Sequence, residues 1–413
     1  MATTHKNPST VQLLREFSVP LVVGILLALA WANLSPASYH AVFHFRLLGH
    51  PALDFLTNDV FMVIFFGIAA VEITMSVAPG GSLNPPSKAV NPLLASAGGI
   101  AAPIVVYFVL NRMLGGPALR NGWGIPTATD IALAWLVARL AFGNGHPAIS
   151  FLLLLAVADD AVGLVIVAVF YPDAALPLRP AFGLLVAAGM GIAYVMRRNK
   201  VNDYRPYLLL GGTASWAGLF LAHLHPALAL VFIVPFLPHR TYGADESIFD
   251  ARNSDQSALG RFEHQWKAIV DFGMFMFGLT NAGVNVAEIG AATWLVFLSL
   301  LIGKTAGIFL LGSLGQALGF PLPQGVRKKE LLVLGMVAGI GLTVSLFIAG
   351  EAFVDSRVEG AAKMGALFSA AIAIPAIVMG RMLRQRPQGA QEAPQRPRVL
   401  RRTGRPWRQT CPR

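Results

Sequence analysis

Two adjacent carboxylates, Asp159 and Asp160, interrupt an apolar run that extends from Phe151 to Phe170. No Gly, Pro or Asn precedes them, so a cap or turn explains them poorly and the pair is expected in the middle of a helix. Two such neighbours in a medium of low dielectric cannot both stay ionised without a compensating cation, and they exchange protons as a coupled unit. The chemistry open to them is to hold protons or a small hard cation through oxygen. With no Cys or His alongside, zinc and copper fit poorly.

Three further features could complete such a site. Asp130 and Thr129 follow Pro126 in an apolar stretch. Proline removes a helical hydrogen bond and restricts Ile125, so the helix should break there and free backbone groups beside the Thr129 and Asp130 oxygens. Asp130 could equally cap the second half-helix. Gly335, Gly339 and Gly341 punctuate a second apolar stretch, by themselves as consistent with close packing as with a break. Lys304 lies too deep in a third stretch to reach either end. A buried ammonium must be paired or lose its proton, and Asp159 is the economical partner.

These residues need elements to position them, and composition says which. Of 413 residues, 55% are hydrophobic and only 13% charged, against about 25% charged in soluble domains. A soluble enzyme is excluded, and the carboxylates, the lysine and the breaks must sit in membrane helices. Apolar stretches long enough to span lie near 18–34, 57–77, 92–111, 121–142, 147–171, 180–196, 206–222, 224–239, 267–286, 291–312, 329–353 and 361–380. The fold expected is therefore an all-α polytopic membrane protein of about twelve transmembrane helices. The interrupted fourth and eleventh are the middle members of two triplets, 3–5 and 10–12. Such paired interruptions point to a midplane site in an inverted-repeat transporter. Charge inside a spanning helix costs roughly 2.5–3.5 kcal/mol per residue on insertion scales, so the buried charges default to function.

The net charge of +11 resolves by location. Residues 381–413 carry ten Arg and one Glu, and so hold nine of those charges. The chain divides into an N-terminal segment 1–17, a membrane domain 18–380 and an Arg- and Pro-rich tail 381–413, expected to be disordered. Lys and Arg cluster on one set of loops, among them Arg197, Arg198, Lys200, Arg205, Arg327 and Lys328, which predicts that both termini are cytoplasmic. The basic tail then reads as a topology signal that can also touch anionic lipid headgroups, and nucleic acid is not a partner. The single Cys411 excludes a disulfide framework.

The same segments resemble the NhaA family of sodium/proton antiporters. The similarity is carried by Asn58-Asp59, Val71-Glu72, Gly122-Trp123 through Asp130, Phe151 through Asp160, Ile302 through Lys304 and Gly339 through Ala349, and it runs over essentially all of residues 10–380. The resemblance implies inverted repeats with broken helices, of which this family is itself a standard example. It makes Asp160 the principal cation and proton carboxylate, Asp159 the partner of Lys304, and Thr129 and Asp130 the polar element where the broken helices cross. Asp59 and Glu72 match acidic positions of the second helix, although Asp59 taken alone reads as an N-cap. Glu263 and His264 match an inner-loop region linked to pH control, and His225 matches a family position but reads as structural at a helix junction.

The chain departs from the family where Ile73 to Val77 replaces a charged cluster after Glu72. The family also implies a homodimer, yet the segment from Ser35 to Leu56 is shorter than the hairpin that supports dimerisation in well-known members. Lys267 and Asp271 also differ from the pattern.

The resemblance implies a carrier rather than an enzyme. It would reside in the bacterial inner membrane and expel Na+ or Li+ against inward H+, electrogenically, for pH and sodium homeostasis and without a cofactor. The competing reading is a sodium-coupled solute symporter on a similar scaffold, which would need a roomier polar pocket. An intramembrane aspartyl protease is excluded by the absence of its Tyr-Asp and Gly-x-Gly-Asp pattern.

Overall fold

The structure is a computed structural model that describes residues 19–43, 45–47, 50–79, 81, 86–172, 177–239, 257–323 and 325–385. Each expected span has a helical counterpart. They are α1 (Val19–Leu34), α2 (Leu53–Val77), α3 (Pro86–Leu114), α4a (Pro117–Thr127) with α4b (Ile131–Phe142), α5 (Pro147–Phe170) and α6 (Pro180–Arg198). There follow α7 (Tyr207–Ala222), α8 (Pro226–Phe236), α9 (Ala258–Asn281), α10 (Ala291–Ala317), α11a (Lys328–Ala338) with α11b (Thr343–Ala352), and α12 (Ser356–Arg384). The surface is that of a membrane protein: Leu184, Leu209 and Ile374 are 75%, 70% and 68% exposed, while Asp159 and Lys304 are wholly buried.

The two middle members are bent, by 59° between α4a and α4b and by 49° between α11a and α11b. The first break begins where Pro126 implies: the backbone of Pro126 is itself non-helical, with φ −82° and ψ 15°. Helix α4a, wound in 3-10 form throughout, kinks there; the Thr127 hydroxyl donates to Gly124 O at 2.7 Å, and Ala128 is extended. Asp130 then caps α4b by accepting from Leu133 N at 3.0 Å.

Helix α3 packs against α10, α4a against α11b, and α12 against α4b, α10 and α11a. Each triplet is thus one continuous, one broken and one continuous helix. The α3–α10 crossing is close because Gly98 and Gly307 face each other; a side chain on either would run into the other's carbonyl. The second group pairs α1 with α9, α2 with α8 and α6 with α7.

Several local expectations change. Helix α9 begins at Ala258, capped by Ser257, not at 267, because Arg261, Glu263, Lys267 and Asp271 depress hydropathy without opposing helix formation. Glu263 and His264 therefore lie on a helix rather than in a loop; residues 240–256 of the expected loop lie outside the described residues. Asp59 is not an N-cap but sits in a π-helical turn, Leu56–Phe61, inside α2. Helix α8 is wound in 3-10 form. Two short antiparallel strands, Arg46–Leu47 and His50–Pro51, form between α1 and α2. The expected disordered tail lies outside the described residues from 386 onward, as do residues 1–18, and α12 continues past 380.

Candidate ion-binding site

The two breaks cross and are stitched reciprocally. Asp130 N donates to Ile340 O at 2.8 Å, and Ser345 Oγ to Ile125 O at 2.7 Å. Ser369 on α12 braces the second break, accepting from Gly341 N at 3.1 Å. Gly339 and Gly341 are required by proximity: an added Cβ would lie 2.8 Å from Leu300 O at the first, and 2.9 Å from Ala128 O at the second. Backbone groups freed by the breaks are thereby satisfied inside the protein, the condition for irregular backbone at membrane depth.

Beside this crossing the charged side chains converge. Lys304 ends a π-helical turn, Ser299–Lys304, in α10. Its Nζ donates to Asp159 Oδ2 at 2.7 Å and to Thr129 Oγ1 at 2.5 Å, with both charged side chains fully buried. Thr129 Oγ1 lies 3.0 Å from both Asp159 Oδ2 and Ala338 O, so its single hydrogen serves one or the other. The remaining oxygen of Asp159, Oδ1, accepts from Ser96 Oγ at 2.6 Å. Asp159 is thus supplied with donors on both oxygens.

Asp160 and Asp130 differ. Asp160 Oδ1 and Asp130 Oδ2 are both shielded from solvent and have no hydrogen-bond partner among the described residues. Leaving a buried acceptor unsatisfied carries its full desolvation penalty, so these oxygens are where a proton or a hard cation would be taken up. The structure therefore gathers Asp160, Asp159, Asp130, Thr129 and Lys304 around the crossing of Pro126, Gly339 and Gly341; Glu72 is half-buried on α2.

It does not gather the rest. Asp59 lies thirteen residues from Glu72, about 20 Å along the helix. Its carbonyl accepts from Trp216 Nε1 on α7. His264 is exposed, and its neighbours Arg261 and Gln265 bond to Asn202 O and Tyr204 Oη in the α6–α7 connection. His225 stands at the α7–α8 junction, bonded to Tyr171 O and 3.6 Å from Glu351. Glu351 and Tyr171 line a cavity of about 390 Å³ at the ends of α4a, α5 and α11b. Ser96, Ser345 and Ser369 are the residues that sequence reasoning missed. Ser96 is a lone hydroxyl among Ala and Gly, and Ser345 and Ser369 are short hydroxyls in apolar runs, patterns that read as packing.

A bundle with polar atoms inside and apolar ones outside, two crossed broken helices and a carboxylate–lysine cluster at their crossing define a multi-pass secondary transporter of the inverted-repeat class. The chain belongs, moreover, to the family described as Na+/H+ antiporter 1, whose model matches residues 11–382. It is 61% identical over 376 residues to the Na(+)/H(+) antiporter NhaA of Geobacter sulfurreducens, covering 91% of this chain and 98% of that one. It is 57% identical to the protein of the same name from Desulfitobacterium hafniense (93% and 97% covered), and 44% identical to that of Jannaschia sp. (89% and 96%). Among solved structures, the sodium proton antiporter MjNhaP1 of Methanocaldococcus jannaschii matches with a TM-score of 0.52 at 14% identity, over 89% of this chain and 91% of that one. That likeness speaks to the fold alone.

Proposed function

We propose that the protein is an electrogenic antiporter that expels Na+ or Li+ in exchange for a larger number of inward protons. The observation that carries this reading is the contrast between the neighbours: Asp159 is held by Lys304, Thr129 and Ser96, while Asp160 keeps a buried oxygen with no partner. Asp160 is therefore the exchanging carboxylate. A protonated carboxyl cannot hold the cation and a cation-bearing one disfavours the proton, so exchange is obligatory. Thr129 and Asp130 add oxygens beside the crossing, and Asp130 also offsets the positive end of α4b. The two triplets rock against the remaining helices to expose the site to each side in turn. Lys304 carries one of the protons, released when its partner is lost to the arriving cation.

The protein resides in the bacterial inner membrane with both termini cytoplasmic, following the distribution of Lys and Arg. Glu72 lies on the ion's route, whereas the positions of Asp59, Glu263 and His264 suit a response to pH rather than coordination. Relatives named as Na(+)/H(+) antiporters support the substrate pair. The test is transport in everted vesicles: Asp160→Asn abolishes Na+-dependent collapse of the proton gradient, and full activity in that variant overturns the assignment.

A further inference from the structure

We infer that Ser96 is a positioning residue for exchange: it holds the Asp159 carboxylate turned toward Lys304, and so keeps the Lys304 ammonium from competing with the transported cation for Asp160. The inference rests on the exchange proposed above at Asp160.

Ser96 is 3% exposed on α3, and its hydroxyl lies 2.6 Å from Asp159 Oδ1 on α5. That length belongs to a charge-assisted O–H···O⁻ bond. A serine inside a helix commonly turns its hydroxyl back to a carbonyl of its own preceding turn; this one reaches across to another helix. The approach is fixed by the backbone. Gly99, the third residue after Ser96, has a missing Cβ that would sit 3.9 Å from Asp159 Oδ2 and 2.9 Å from Ile308 on α10. Helix α3 thus lies close to both the acid and the helix of its lysine partner, and the Ser96 hydroxyl takes the Asp159 oxygen that Lys304 does not.

With both oxygens occupied, the carboxylate cannot rotate without breaking the Ser96 bond and the Lys304 bond together. Remove the hydroxyl and Oδ1 becomes a buried acceptor with no donor, free to turn. Lys304 has a flexible stem, and Asp160 is the residue next to its partner on α5. Once Asp159 is no longer aimed at it, the ammonium is shared between two adjacent carboxylates. An internal cation at Asp160 behaves as a competitive inhibitor: it raises the apparent KM for Na+ and leaves the rate at saturating Na+ nearly unchanged. A general loosening of the bundle would lower the rate instead.

The experiment measures Na+ dependence of exchange by the full-length chain in everted vesicles at one alkaline pH, with NaCl as the probe. Ser96→Ala is expected to raise the apparent KM by about three- to tenfold, the scale of one charge-assisted hydrogen bond partly compensated, with the saturating rate within about twofold. Ser96→Thr keeps the hydroxyl and restores the KM. An unchanged KM in Ser96→Ala overturns the inference, as does Ser96→Thr impaired like alanine, or a saturating rate that falls while the KM stays fixed. Should Ser96→Ala fail to insert, Ser96→Cys keeps the size with a weaker donor, and a wild-type KM there is equally fatal. A wild-type chain without Na+-dependent exchange would instead remove the proposed function itself, so the two failures are distinguishable.

Discussion

Asp159 and Asp160 are sequence neighbours in opposite circumstances, and the difference sorts their roles. Asp159 is half of a fully buried ion pair. Breaking such a pair costs about 3–5 kcal/mol, because the surviving charge is left uncompensated. Lys304→Ala should therefore lower the thermal unfolding midpoint of the purified protein clearly. Combining Lys304→Gln with Asp159→Asn should recover much of that loss, since neither charge then remains. Equal destabilisation of the single and double variants would contradict a structural pair. If Lys304→Ala still exchanged electrogenically, its role as a proton carrier would go. The pairing was legible in the sequence because one buried base must find one buried acid. Ser96 was not legible: its partner lies sixty-three residues away, and nothing in a run of Ala and Gly announces a hydrogen bond.

At the scale of elements, the crossing depends on atoms that are absent. Gly341 faces Ala128 O and Ser345 Oγ, both within 3 Å of any Cβ that would be added. Gly341→Val should abolish exchange in a protein that still reaches the membrane, as read by vesicle transport against an expression blot; wild-type transport would mean that the breaks need not touch. Ser345→Ala removes one stitch, and about 1 kcal/mol of stability is the expected loss. The broken helices were legible in outline, since Pro126 and the Gly run mark them, but the 3-10 winding of α4a ahead of the first break was not. The π-helical turns that carry Asp59 and Lys304 leave no compositional mark. The early start of α9 was hidden because hydropathy detects the bilayer-spanning part of a helix and is blind to a charged turn that extends it.

At the scale of the molecule, the body is nearly neutral and its few buried charges form the site, while most of the net charge lies in the tail. Deleting residues 387–413 should leave exchange intact, and lost transport in a correctly inserted truncation would assign the tail a larger part. On the proposal that one carboxylate serves both ions, the apparent KM for Na+ should rise as pH falls, with the saturating rate changing less. The most direct test of the whole account is equilibrium binding of labelled Na+ to the purified protein across a pH series, for the wild type and Asp160→Asn. The account predicts that acid shifts the binding midpoint to higher Na+ without lowering the number of sites, and that Asp160→Asn binds no Na+ specifically. Full, pH-insensitive Na+ binding by Asp160→Asn would contradict it.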